Sequence, residues 1–179
     1  MKQKLTDHPN ATIYQYKHVK RIVVPNEILI SYLLCALIVL AFQYMIFNMY
    51  GIFSTFIGFV GLQVLHLIII WLTFINVHQA ADRKWTWSLT PPWTGFKPAN
   101  DISFSVFRRV HNQVFWLGII IIGILYPWLP PSFMLSLIFW HIWLLAPKIL
   151  LNLRLRKYAK KTKAGILRIQ TKEVNLFQP

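Results

Sequence analysis

The stretch from Asn76 to Gln113, NVHQAADRKWTWSLTPPWTGFKPANDISFSVFRRVHNQ, decides how this chain is read. It is the only long water-compatible segment between two almost wholly apolar blocks. Before it lie residues 28–47 and 52–75, and after it lie 114–129 and 133–151. Each pair is joined by a short uncharged turn, Asn48 to Gly51 in the first and Pro130-Pro131 in the second. A hydrocarbon core about 30 Å thick is crossed by about 20 apolar helical residues. The sequence supplies four such runs. The expected fold is therefore an all-α integral membrane protein, with four transmembrane helices arranged as two antiparallel hairpins. Segments 1–27 and 152–179 are its basic ends, and 76–113 is a Trp/Pro-rich connector.

Composition supports this reading. The chain is 56% apolar and only 13% charged, against about 25% charged residues in soluble domains. Nineteen Lys and Arg against five Asp and Glu give a formal charge of +14. In a soluble protein that balance would point to nucleic acid. Here the basic residues flank apolar runs, where they set orientation and meet anionic headgroups, so no nucleic-acid partner is expected. Lys2, Lys4, Lys17, Lys20 and Arg21 precede the first run, and Arg83, Lys84, Lys97, Arg108 and Arg109 occupy the connector. Neither short turn carries one. By the positive-inside rule both termini and the connector are cytoplasmic, in a multi-pass protein of a bacterium-like cell membrane. Cys35 is the single cysteine, which excludes a disulfide framework and a cysteine metal cluster. The first apolar run begins too far in, and is too long, for a removable signal peptide, so it is expected to be retained.

Local signals place the element ends. Pro25 suits the first turn of a helix. Gly51 is a candidate for the left-handed residue that ends one. Ser54 and Gly58 form a small-residue face on which helices pack closely. Asn100 and Asp101 are candidate N-caps for a helix starting at Ile102. The alternation Ile102, Phe104, Val106 also fits a short strand, but an unpartnered strand beside a membrane is the weaker reading. Pro147 predicts a kink near the inner end of the last helix. The final residues, Glu173 to Pro179, carry no functional signal.

Ionisable groups at membrane depth are the natural place to look for chemistry. None of the carboxylates falls inside an apolar run, which argues against an intramembrane aspartyl protease and against coupling through a buried acid. His66 and His141 fall near the middle of the second and fourth runs, at similar depth. Such a pair is able to ligate haem b or a metal, or to relay a proton, but a neutral histidine that hydrogen-bonds a neighbouring helix is the simpler reading. His78, Asp82, Arg108, Arg109 and His111 cluster at the cytoplasmic rim, where a lipid-modifying enzyme would place a phosphate clamp and a general acid or base. Stop-transfer charge accounts for the same residues. Lys148 is expected to extend to the interface as an anchor. Arg154, Arg156, Lys157, Lys160, Lys161 and Lys163 are candidates for binding anionic lipid.

The least explained part is Trp85, Trp87, Pro91, Pro92, Trp93 and Phe96. Its prolines forbid a long helix, and its aromatics are too apolar for a free linker. Docking on the membrane surface and recognition of a protein partner both suit rigid aromatic side chains. The sequence holds no HExxH motif, phosphate-cradling glycine loop or nucleophile signature. The functional expectation is a non-catalytic assembly, regulatory or immunity-type subunit without a cofactor, associating with membrane lipids and with a protein partner or further copies of itself. A small oligomeric transporter or channel is the first alternative. A haem-binding protein or lipid-modifying enzyme is the second.

Overall fold

A computed structural model of the chain describes residues 17–75, 84–159 and 165–178. In chain order they form β1 (Lys17–Val23), α1 (Asn26–Phe74), β2 (Trp85–Ser88), β3 (Gly95–Pro98), β4 (Ile102–Ser103), α2 (Phe104–Leu125), a 3-10 turn (Tyr126–Trp128), α3 (Pro131–Ala159), β5 (Ile166–Ile169) and β6 (Glu173–Gln178). Most described residues are helical. Three helices, Asn26–Phe74, Phe104–Trp128 and Pro131–Tyr158, are long and apolar enough to cross a membrane.

The helices are apolar outside and bury a series of polar residues among the apolar ones inside. Leu37, Ile38, Phe53, Phe56, Ile57 and Val60 are exposed, while Gln43, Thr55, Gln63, His66, Ser136 and His141 are buried. Water would reverse that distribution; lipid permits it, because chain exteriors as apolar as lipid tails lose nothing by exposure. Several hydroxyls on the helices are satisfied locally. Thr55 donates to the Gly51 carbonyl, Thr73 to Ile69 and Ser136 to Ser132, each 2.8 Å away and four residues back.

The continuous helical stretch α1 is broken at Asn48, which has φ 52° and ψ −144°. Here Asn48, not Gly51, supplies the left-handed backbone, as a short polar side chain does more readily than a branched one. Gly51 is needed for a different reason: a Cβ there would overlap the carbonyl of Gln43. Residues 43 and 51 lie side by side because the chain reverses between them. The contacts with α3 agree. On the arm before Asn48, the Tyr32 carbonyl accepts from Trp143, and Gln43 donates to the Ser132 carbonyl and the Ser136 hydroxyl. On the arm after it, Gly58 meets Ser136 and His66 meets His141. Numbers rise in opposite senses on the first arm and α3, and together on the second. The Ser54 and Gly58 stripe thus forms a packing face, with Ser54 buried and Gly58 against Ser136.

A sheet corrects the all-α expectation. β1, β6, β5 and β4 form a four-stranded sheet in that order, antiparallel throughout, with Lys17 opposite Gln178 and Val23 opposite Glu173 at one edge and Ile102 opposite Leu167 at the other. Of the alternation, Ile102 and Ser103 form a two-residue strand paired with Leu167 and Ile166 of β5, and Phe104 and Val106 already belong to α2; Glu173 to Gln178, which carries no functional signal in the sequence, is the strand β6. Val174 and Leu176 alternate inward on β6 and join Leu167, Ile102, Phe104, Phe107, Leu151 and Leu155 in one core. Asp101 caps no helix; it pairs with Arg168 at 2.6 Å, and Arg21 pairs with Glu173 at 2.6 Å. Hydrogen bonding to Asp101, and its charge, raise the Arg168 pKa above the ordinary arginine value. β2 and β3 form a separate hairpin, with Trp87 opposite Phe96. Sheet pairing ties the start of α1, the start of α2 and the end of α3 to one end of the bundle.

Candidate functional site

Besides the Gln43, Ser132 and Ser136 contacts, two layers of buried polar residues lie between the helices. At mid-depth, His66 Nε2 and His141 Nδ1 are 3.1 Å apart, and His141 Nε2 lies 3.1 Å from the Phe115 carbonyl. A carbonyl only accepts, so His141 carries its proton on Nε2. With a neutral ring, its Nδ1 then accepts from His66 Nε2–H. Gly118 makes room for this arrangement, because a Cβ on it would overlap the His141 ring. Both His141 nitrogens are committed, and the rings touch directly. Trans ligands of a haem iron, each about 2 Å from the metal, stand about 4 Å apart, whereas these two nitrogens are 3.1 Å apart and bonded to each other through a hydrogen. The pair is a hydrogen-bonded tie between α1 and α3, spaced too closely for the trans ligation of a haem iron. Among the described residues, no three His, Cys, Asp or Glu gather for a metal.

The second layer lies toward the sheet. Lys148 is expected as an outward anchor, but it is only 4% exposed. Its ammonium donates to the Thr94 carbonyl at 2.9 Å, in the turn between β2 and β3. Gly95 follows with φ 91°, and the position a Cβ would occupy on it lies 3.4 Å from both Lys148 Nζ and Gln63 Oε1. Gln63 is buried with neither end of its amide hydrogen-bonded. Tyr32 stacks on Trp143, with ring centroids 3.9 Å apart, and its hydroxyl stands beside Thr94. Both arms of α1, together with α3 and the connector, therefore meet at one point.

The other expected residues separate. Trp93 is 3% exposed within the core beneath the sheet. Pro92 is buried and Pro91 half-buried. Trp85 packs on Phe74 and His111, and Phe96 lies against the core formed by Ile69, Val110 and Leu145. Trp87, 50% exposed, and Leu89 form the open part of the hairpin. His111 is turned inward, with Nδ1 donating to the Phe107 carbonyl at 2.8 Å, whereas Arg108 and Arg109 are exposed. Among the described residues, His111 and the two arginines therefore form no common clamp; His78 and Asp82 lie outside the described residues. Arg154, Arg156 and Lys157 continue on α3, with Arg154 and Arg156 exposed on its final turns; Lys160, Lys161 and Lys163 lie outside the described residues.

Gly118, Gly95 and Tyr32 escaped sequence reasoning, and Lys148 and Gln63 were not recognised as partners. One signal for the set was available. His141, Lys148 and Asn152 recur at intervals of seven and four on α3, and Gln63 and His66 are three apart on α1, spacings that place polar residues on one helix face. The fold and site define a helical, lipid-compatible bundle with a polar interior, closed at one end by a sheet. A scan of protein families and searches of curated proteins and of solved structures find no match for the chain.

Proposed function

We propose that the chain is a four-span membrane protein, with both termini and the connector on the cytoplasmic side, that works without catalysis as a subunit of a membrane complex. The break at Asn48 supports counting α1 as two crossings. Lys17, Lys20, Arg21, Lys97, Arg154 and Arg156 belong to the sheet end of the bundle, which the positive-inside rule assigns to the cytoplasm. The observation that carries the subunit reading is the use of the connector's aromatics. Trp85, Trp93 and Phe96 anchor the hairpin into the fold and leave Trp87 and Leu89 exposed beside them. A rigidly mounted apolar pair loses little entropy on binding a protein partner.

Purification from the native host in mild detergent tests this reading. A specific protein is expected to co-purify with the wild type and to be lost from a folded Trp87→Ala, Leu89→Ala double variant. Equal recovery with both would remove the hairpin from the interface. A second reading, a small oligomeric transporter or channel, draws on the buried polar series Gln63, His66, His141 and Lys148. It requires solute flux in proteoliposomes that His66→Ala abolishes.

A further inference from the structure

Where α3 leaves the apolar part of the bundle, a cavity of about 90 Å³ lies between α3 and the turn from β1 into α1, with Ile22, Val24, Ile28, Trp93, Leu150 and Arg154 among its walls. Arg154 is the one charged side chain that lines it. At about 30 Å³ for a group the size of water, the space takes roughly three such groups. It is therefore too small for a whole acyl chain and large enough for the first carbons of one. Val23, Ile28 and Leu150, on its lips, are exposed, so an apolar chain that starts in the cavity continues outward over an apolar surface.

The mouth of the cavity is basic. Arg154 is exposed and makes no ion pair among the described residues, where Asp101 is engaged by Arg168 and Glu173 by Arg21. Lys20 holds its ammonium 5.3 Å from the centre of the Tyr158 ring, one helical turn beyond Arg154. Lys172 is tied to the turn itself: its carbonyl accepts from the Val24 N–H at 2.9 Å, and its ammonium donates to Asn26 Oδ1 at 3.3 Å. Against these three cations stands one acid, Glu27, exposed in the first turn of α1. An apolar cavity with cations at its mouth complements an amphipathic anion, and a guanidinium matches the oxygens of a phosphate.

We propose that this cavity and Arg154 form a site for one anionic glycerophospholipid of the cytoplasmic leaflet, with the lipid phosphate at the Arg154 guanidinium and the first carbons of one acyl chain between β1 and α3. The site rests on the four-span reading only for its leaflet, and binding in detergent reads it whichever side the sheet faces.

The test is binding of dioleoylphosphatidylglycerol to the full-length protein in a neutral detergent, counted by native mass spectrometry, with dioleoylphosphatidylcholine and inorganic phosphate for comparison. One phosphatidylglycerol is expected per chain, half-saturating at about one tenth of the concentration that phosphatidylcholine needs. Arg154→Gln removes most of that preference. Arg156→Gln deletes the same charge two residues along the helix, outside the cavity, and changes it by less than about twofold. Val23→Trp keeps the charge and fills the cavity from an exposed lip, and it weakens binding about tenfold; Leu150→Trp makes the same change from the opposite lip. Equal affinity for the two lipids overturns the proposal, as do equal losses in Arg154→Gln and Arg156→Gln, or binding undiminished in both tryptophan variants. Inorganic phosphate that matches the affinity of the lipid overturns it as well, because the apolar half of the site would then contribute nothing.

Discussion

At the residue level, two glycines show how a missing side chain shapes this bundle. Gly118 faces the His141 ring, whereas Gly123, five residues on along the same helix, has open space where a Cβ would stand. Gly118→Ala therefore forces the imidazole away from Phe115 and His66 and is expected to cost about 1–3 kcal/mol, as overpacking usually does. Gly123→Ala leaves stability unchanged or slightly raised, since alanine favours helix. Thermal unfolding of the two variants in the same detergent checks the contrast, and equal midpoints would mean that His141 has freedom to move. The histidines at matching depth were legible in the sequence because polar residues stand out in apolar runs. Gly118 was not, since a glycine in a membrane helix has many uses. Lys148 was misjudged for a related reason. A lysine near a helix end usually extends to water, and only the fold shows a carbonyl of the connector waiting within reach on the inside.

The elements depend on partners far along the chain. β6 is short, and its alternation of Glu173, Val174, Asn175 and Leu176 suits a strand that has no stability without partners. Pairing with β1 and β5 satisfies its backbone, and burial of Val174 and Leu176 stabilises the pairing. Leu176→Ala is expected to cost about 2–5 kcal/mol, the usual range for a fully buried leucine. It should loosen the cap before the helices, so limited proteolysis ought to cut within residues 17–23 sooner than in the wild type. Cleavage at an unchanged rate would argue that β1 is held by something other than β6. The arms of α1 carry a separate prediction. Asn48→Gly is tolerated, whereas Asn48→Val costs about 1–2 kcal/mol because a branched side chain resists positive φ. Unfolding midpoints of these two variants, compared with the wild type, read the difference.

At the level of the whole molecule, the sheet binds three chain segments to one end of the helices, and in the proposed four-span arrangement these segments share a side of the membrane. In a Cys35→Ser background, single cysteines at Lys17, Lys97 and Asn175 should react with a membrane-impermeant thiol reagent only from the cytoplasmic side. Cysteines at Met49 and Trp128 should react only from the opposite side. Labelling of Met49 and Lys97 from the same side would overturn the four-span arrangement. Apolar runs, uncharged turns and the placement of Lys and Arg were enough to read a membrane-compatible helical protein from the sequence alone, because lipid imposes length and hydrophobicity on every helix that enters it. The same logic made the Asn76 to Gln113 stretch look like a connector and left its tryptophans unexplained. Tertiary structure decided the rest: the sheet, the inward lysine, and the division of the connector's aromatics into buried anchors and an exposed pair. Each depends on contacts between segments distant in sequence, β1 with β6 or Thr94 with Lys148. Local pattern carries no information about which distant backbone group will be waiting.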